Sequence, residues 1–273
     1  MRNIYILSKY TFKEALARKV FLTFFGISTF ILLLFIVLFA SVDMSAFIPA
    51  DALGMNSQWG LKDGIVSGLK LLLINPLYGG GLFLSIFAAS SFIPVMLEKG
   101  SIEILLSKPV SRAQIIIGKF LGVTFMVFMN ITYFVSILTI LIGIKFQVWD
   151  FFFFSTIFTI TLAFAVLYSL IILIGIITKT SLPAMILSYL IFFILSPVLN
   201  ARDAFNFSQT NSFLSTLGDI LYYITPRTSE LGSLTLLISG GGVIEDFSVI
   251  IHSLIYIILM LLFSIIIFNK KDY

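Results

Sequence analysis

The chain offers few side chains for chemistry. His252 is its single histidine and cysteine is absent, so a transition-metal site built from the usual nitrogen and sulfur ligands lacks donors. A serine nucleophile needs a base; only His252 is on offer, and no GxSxG turn presents such a serine. Glu245 and Asp246 are adjacent in sequence and point to different helix faces, which does not make the paired carboxylates of an acid–base site. Gly118-Lys119-Phe120 carries the GK of a phosphate loop, but Phe120 stands where a hydroxyl belongs and Ala113 where the first glycine belongs. If ATP is used, it is bound by a partner.

Charge collects instead in one stretch. EKGSIEILLSKPVSRAQIIIGKFLG, residues 98–122, holds six charged residues. Its local signals alternate between starts and stops. Gly100 suits a left-handed cap ending the preceding helix. Ser101 is expected to cap a short helix over 101–108, with Glu103 in the first turn, where a carboxylate favours the helix dipole. Ile102, Leu105 and Leu106 share one face of that helix, Glu103 and Ser107 another. Lys108-Pro109 stops it, because a residue before proline is pushed out of the helical region. Ser111 to Gln114 then forms a capping box, with Val110 and Ile115 as the hydrophobic staple of the next helix. Two readings fit this pattern: a rigid cytoplasmic lever fixed to both flanking helices, or an interfacial helix that only decorates the membrane surface.

The elements around this stretch are apolar. Of 273 residues, 59% are hydrophobic and 11% charged, against roughly 45–50% and 25% for soluble domains. An all-α, polytopic membrane protein is expected. Runs of about 20 apolar residues span a bilayer, and six qualify: 20–42, 78–97, 115–144, 151–177, 183–199 and 247–268. Residues 1–273 form one transmembrane domain. Ser196-Pro197 suggests a kink in the fifth span. With the amino terminus placed inside, twelve of the seventeen basic residues fall on the inner side and nine of the thirteen acids on the outer, as orientation by Lys and Arg requires. Both termini are then cytoplasmic. The start of the chain is too polar ahead of its first apolar run for a cleaved signal peptide.

Over 1–19, Ile4, Leu7, Phe12, Ala15 and Leu16 recur near helical spacing, with Lys9, Lys13, Arg18 and Lys19 supplying positive charge. This fits an interfacial helix under the inner leaflet, in contact with membrane lipid, the alternative being a solvated basic tail that only obeys the orientation rule. The outer segments 43–77 and 200–246 are long and read as short helices at the outer mouth. Gly240-Gly241-Gly242 reads as a tight turn or hinge, and Gly79-Gly80-Gly81 as a site of close backbone packing. His252, near the outer end of the last run, reads as a helix contact better than as a proton site, since no acid accompanies it in the span. The spans are almost free of charge, which disfavours an ion-gradient carrier and suits an apolar or amphipathic cargo.

The run FAASSFIPVMLEKGSIEILLSKPVSRAQIIIGKFLG, residues 87–122, resembles the matching region of type-2 ATP-binding-cassette permeases, in the branch of nitrous-oxide-maturation and sodium or antibiotic efflux permeases. The similarity lies in Glu98, in Gly100-Ser101-x-Glu103, in Leu105 to Arg112 and in Gly118-Lys119. It implies that 101–108 is a coupling helix docking on a separate ATPase, with Glu98, Gly100, Ser101, Glu103, Lys108, Pro109 and Arg112 as the coupling set. It also implies that 1–19 is an elbow helix. The partners implied are two ATPase subunits and a second copy of this chain or a similar permease, in the cell membrane. Nucleic acid and resident cofactors are not among them. The segment between the first two spans is longer than in many relatives, so the substrate side does not carry over. The alternatives are a membrane scaffold or sensor that recruits a cytoplasmic partner through the same helix, and an ion-driven carrier.

Overall fold

A computed structural model describes residues 2–17, 19–41, 58–107, 109–202 and 212–271, and every regular element among them is helical. The amino-terminal helix α1 (Arg2–Ala17) is followed by α2 (Lys19–Ser41). Next comes α3 (Gln58–Pro76), which continues through a wide π turn at Leu77–Gly81 into α4 (Leu82–Ser90) and then α5 (Phe92–Met96). The short α6 (Ser101–Leu106) precedes α7 (Arg112–Phe146), the longest element at 35 residues. Beyond it are α8 (Ser155–Thr178), α9 (Ser181–Leu190) and α10 (Ser196–Asn200), the last two joined by a second π turn at Ile191–Leu195. The chain closes with α11 (Ser212–Ile224), α12 (Thr228–Ser239) and α13 (Ser248–Lys270).

Five described helical segments are long and apolar enough to cross a membrane: Gly64–Met96, Arg112–Phe146, Phe152–Thr178, Ser181–Asn200 and Ser248–Lys270. α2 adds a shorter apolar stretch at Thr23–Val37, inside the expected span 20–42.

The second span differs from its expected start at Tyr78. The helix already runs from Gln58, so part of the segment read as short outer helices is continuous with the span. The rest of that segment, 43–57, lies outside the described residues. Gly79-Gly80-Gly81 also differ from expectation, because a Cβ on Gly79 or Gly80 would meet nothing within 4 Å. Their permissive backbone instead forms most of the π turn. In the fifth span the π turn precedes Pro197, whose ring would clash with the carbonyl four residues back, at Phe193 inside that turn. Widening the helix there lets it continue to Asn200.

α8 is the hub, packed against α4, α5, α7, α9, α12 and α13. Lipid offers no hydrophobic drive for helices to associate, so close packing must supply it. Tyr168 of α8 is fully buried and stacks between Phe164 at 5.5 Å and Phe120 of α7 at 6.1 Å. Two polar side chains of α8 are satisfied by carbonyls close by in the chain: Thr156 donates to Phe153, in the turn just before the helix, and Ser169 to Val166. Thr235 of α12 donates to Thr159 at 2.8 Å and fastens α12 to the hub. Satisfying each polar group internally is what a water-free layer demands.

Between α2, the α3–α4 junction and α7 lies an apolar chamber of about 420 Å³, walled by Phe24, Ile31, Leu73, Leu77, Gly80 and Phe134. Ser28, also on its wall, donates to Asn130 of α7 at 3.0 Å.

Candidate functional site

The charged stretch folds as a compact lateral element between two membrane helices. At its start Gly100 takes φ 88° and ψ −45°, a conformation open to glycine and strained for other residues. The carbonyl of Glu98 accepts from the amides of Ser101 at 3.1 Å and Ile102 at 3.3 Å. Gly100 is therefore the residue at the turn into α6. Ser101, expected to cap that helix, is its first residue instead and makes no capping bond through its side chain. The positive φ has displaced the cap by one position.

α6 is amphipathic in the expected sense. Ile102 is buried and Leu105 packs against the main core, while Glu103 and Ser107 face outward, as does Glu98. Lys108 lies outside the described residues, and Pro109 is exposed. The second turn is closed by the capping box: the Gln114 amide donates to Ser111 Oγ, and the Ser111 amide to Gln114 Oε1, both at 3.2 Å. Val110 packs on the core that contains the buried Ile115. Both hinges of α6 are thus fixed, and its exposed rim carries Glu103, with Glu98 and Lys99 exposed in the turn before it.

Arg112 stands apart from that rim. Its Nη1 donates to the carbonyls of Phe268 at 2.6 Å, Asn269 at 3.3 Å and Lys271 at 2.6 Å, and the guanidinium carbon lies 5.5 Å from the Phe268 ring centroid. Lys271 in turn donates to the carbonyls of Ile176 at 2.7 Å and Ile177 at 3.0 Å, at the end of α8. Burial, and then the charge of Lys179, pull the Lys271 ammonium below its ordinary range.

α1 lies against α7 beside this element. The two approach closely because Gly118 and Gly122 share one face of α7; a Cβ there would come within 2.6 Å of Leu7 Cβ and 2.7 Å of Thr11 Cβ. Small residues four apart are what such contacts need. Between the two glycines, Lys119 reaches Glu14 of α1 at 2.5 Å, with side-chain exposures of 7% and 24%. Lys9 and Lys13 are exposed, Arg18 lies outside the described residues, and nothing is described of the Lys19 side chain. Tyr5, Ile6 and Tyr10 are exposed as well, so α1 presents apolar and basic residues together on its free side, the composition of an interfacial helix. Asn3 donates to the Pro109 carbonyl at 3.4 Å. A cavity of about 440 Å³ opens between α1, α5, α6 and α7, bordered by Tyr10, Glu14, Met96, Ser101, Leu105 and Lys119.

The opposite end carries its own polar contacts. Lys70 pairs with Asp150 at 2.6 Å and lies over Phe153. The guanidinium carbons of Arg202 and Arg227 sit 3.5 Å and 4.0 Å from the centroid of Tyr222. Two such groups cannot share one ring face at those distances, so they bracket it. The Tyr222 hydroxyl donates to Glu230; burial first, and this bond next, push the phenol up to about 12. His252 Nε2 meets the Tyr223 carbonyl at 2.9 Å, a contact between α13 and α11. Among the described residues no three of His, Asp and Glu gather to hold a metal ion.

Residue spacing alone did not point to the Arg112 and Lys271 contacts, because backbone carbonyls leave no mark on side-chain type. The Glu14–Lys119 pair had a partial signal: Glu14 is the one acid among the basic residues of α1, and Gly118-x-x-x-Gly122 frames Lys119 in an apolar run.

Comparison with known proteins gives one family. The description "ABC-2 family transporter protein" matches residues 12–273, nearly the whole chain. No curated protein matches it.

Proposed function

Because the chain belongs to the ABC-2 family of transporter proteins, a family of multi-pass membrane subunits, we propose that it is the permease of an ATP-binding-cassette exporter. In this reading six spans cross the cell membrane with both termini in the cytoplasm, and two such permeases pair. A separate ATPase subunit docks on each α6, and its nucleotide-driven movement is converted into outward passage of an apolar or amphipathic substrate. The observation that carries the reading is α6 itself. A short amphipathic helix with a charged outer rim, held between two membrane helices by a positive-φ glycine and a complete capping box, transmits a push that a loose loop would absorb. α1 is then the elbow helix. Its basic, apolar free side rests on anionic headgroups of the inner leaflet.

The test uses the full chain co-expressed with an ABC ATPase subunit from the same genome, in mild detergent and then in proteoliposomes. The two subunits are expected to purify together, with ATP hydrolysis that needs both. Glu98→Lys, Glu103→Lys and Gly100→Leu are expected to leave membrane insertion intact while separating hydrolysis from transport. Normal transport by all three variants overturns the coupling role of α6. Transport that persists after ATP depletion points to an ion-driven carrier, and stable ATPase recruitment without transport points to a scaffold.

A further inference from the structure

The end of the molecule that carries α6 also gathers three helix ends through two cations. α7 begins at Arg112, only six residues after α6 ends at Leu106. The last carbonyls of a helix have no partner within it and form its negative pole. Arg112 spans the last turn of α13 with three bonds to Phe268, Asn269 and Lys271, while its guanidinium lies near the buried Phe268 ring. Lys271, whose own carbonyl is held by Arg112, makes the same kind of contact with the end of α8 through Ile176 and Ile177. α8 stops there because Lys179 adopts a left-handed conformation at φ 58°. The contacts therefore run in series from the α6 turn to α7, to the end of α13 and to the end of α8.

We propose that Arg112 is a positioning residue, the clasp that makes the inner ends of α7, α8 and α13 one mechanical body, rather than a contact for the ATPase. The inference rests on the proposed function for its purpose, but not for its geometry. A planar guanidinium with several fixed donors constrains direction as well as distance, which a single ammonium cannot do. Its Nη1 is spent on backbone carbonyls, and the outward-facing charges at and just before α6 are those of Glu98, Lys99 and Glu103. A push on α6 then reaches α13, whose side chains are exposed at intervals along its length, from Ile251 to Ile266. Without the clasp the push reaches α13 only through side-chain packing of α7 and α8 against it.

The chain has no cysteine, so paired labels need no background removal. Spin labels at Leu121→Cys on α7 and Ile266→Cys on α13, both at exposed positions, report the inner ends of the two helices in lipid nanodiscs. The parent is expected to give one narrow distance distribution. Arg112→Gln is expected to lose it for a broad one, and Arg112→Lys to recover it in part. Lys9→Gln, at an exposed position on α1, is expected to match the parent. Lys271→Met, read with labels at Ile177→Cys and Ile266→Cys, is expected to broaden the α8 to α13 distance while the α7 to α13 distance stays narrow. A parent-like distribution in Arg112→Gln overturns the clasp. If Arg112→Gln does not fold, a parent-like profile in both Arg112→Lys and Lys271→Met overturns it equally. With the ATPase and ATP added, the parent labels are expected to shift, and in Arg112→Gln hydrolysis is expected to persist while the shift at α13 is lost. No shift in the parent sinks the coupling reading and leaves the clasp to stand on its nucleotide-free distances.

Discussion

At the level of single residues, the consequential groups are charges placed where water is scarce. Glu14 and Lys119 make a close ion pair with the lysine almost wholly buried. Removing one partner of such a pair strands the other, at a cost of about 3 kcal/mol, the low end for a buried pair because Glu14 is partly exposed. Glu14→Gln is therefore expected to lower the thermal midpoint in detergent well below the parent, and Glu14→Gln with Lys119→Met to regain much of the loss. Tyr222 behaves in the opposite direction with pH. Its phenol is held up to about 12 against an ordinary 10.0. Between those values the folded chain keeps a proton that the unfolded chain has released, so this contribution to stability is complete below pH 10 and is lost as pH rises toward 12. The fall in thermal midpoint across that window is expected to be shallower in Tyr222→Phe. Of these residues, the sequence marked Lys119 as part of a motif but gave no reason for its charge. The reason is Glu14, 105 positions away, and a pairing at that distance leaves no periodicity to read.

The elements were more legible, since their signals are local. The expected span 115–144 falls within a helical segment that runs three residues earlier and two later, and 151–177 matches Phe152–Thr178 to within one residue at each end. The capping box was readable in full because all its parts lie within four residues. What could not be read was continuity through a π turn: Pro76 and three glycines look like a break, yet the helix passes through by widening. The docking of α1 along α7 was also hidden, although its cause is in plain view. Gly118 and Gly122 leave no room for a side chain, so Gly122→Leu is expected to lift α1 from α7. Limited proteolysis should then cut within 2–17 several times faster than in the parent, while the bundle resists. Equal protection of α1 in both proteins would show that its placement depends on the membrane surface instead. Gly122→Ala, with a smaller intrusion, should fall between the two.

For the molecule as a whole, the arrangement is one hub helix with others around it, and polar fastenings at both ends. At one end Asn3 of α1 meets the turn before α7, and Arg112 and Lys271 fasten the ends of α13 and α8; the Arg202–Tyr222–Arg227 cluster lies at the other. The proposed orientation is open to direct measurement. Lys9→Cys and Val243→Cys occupy exposed positions on α1 and after α12, and an impermeant thiol reagent applied to intact cells is expected to label only Val243→Cys. Labelling of Lys9→Cys alone would reverse the topology. The chamber between α2, the α3–α4 junction and α7 carries a further consequence, one of volume rather than force. A space of about 420 Å³ lined by hydrocarbon is volume that the system can give up, and equilibria under hydrostatic pressure move toward whichever form gives it up. That space lies on one flank, where α2 meets its neighbours, and away from the closely packed hub. Raised pressure would therefore favour any form of the molecule in which α2 has closed onto the α3–α4 junction and α7.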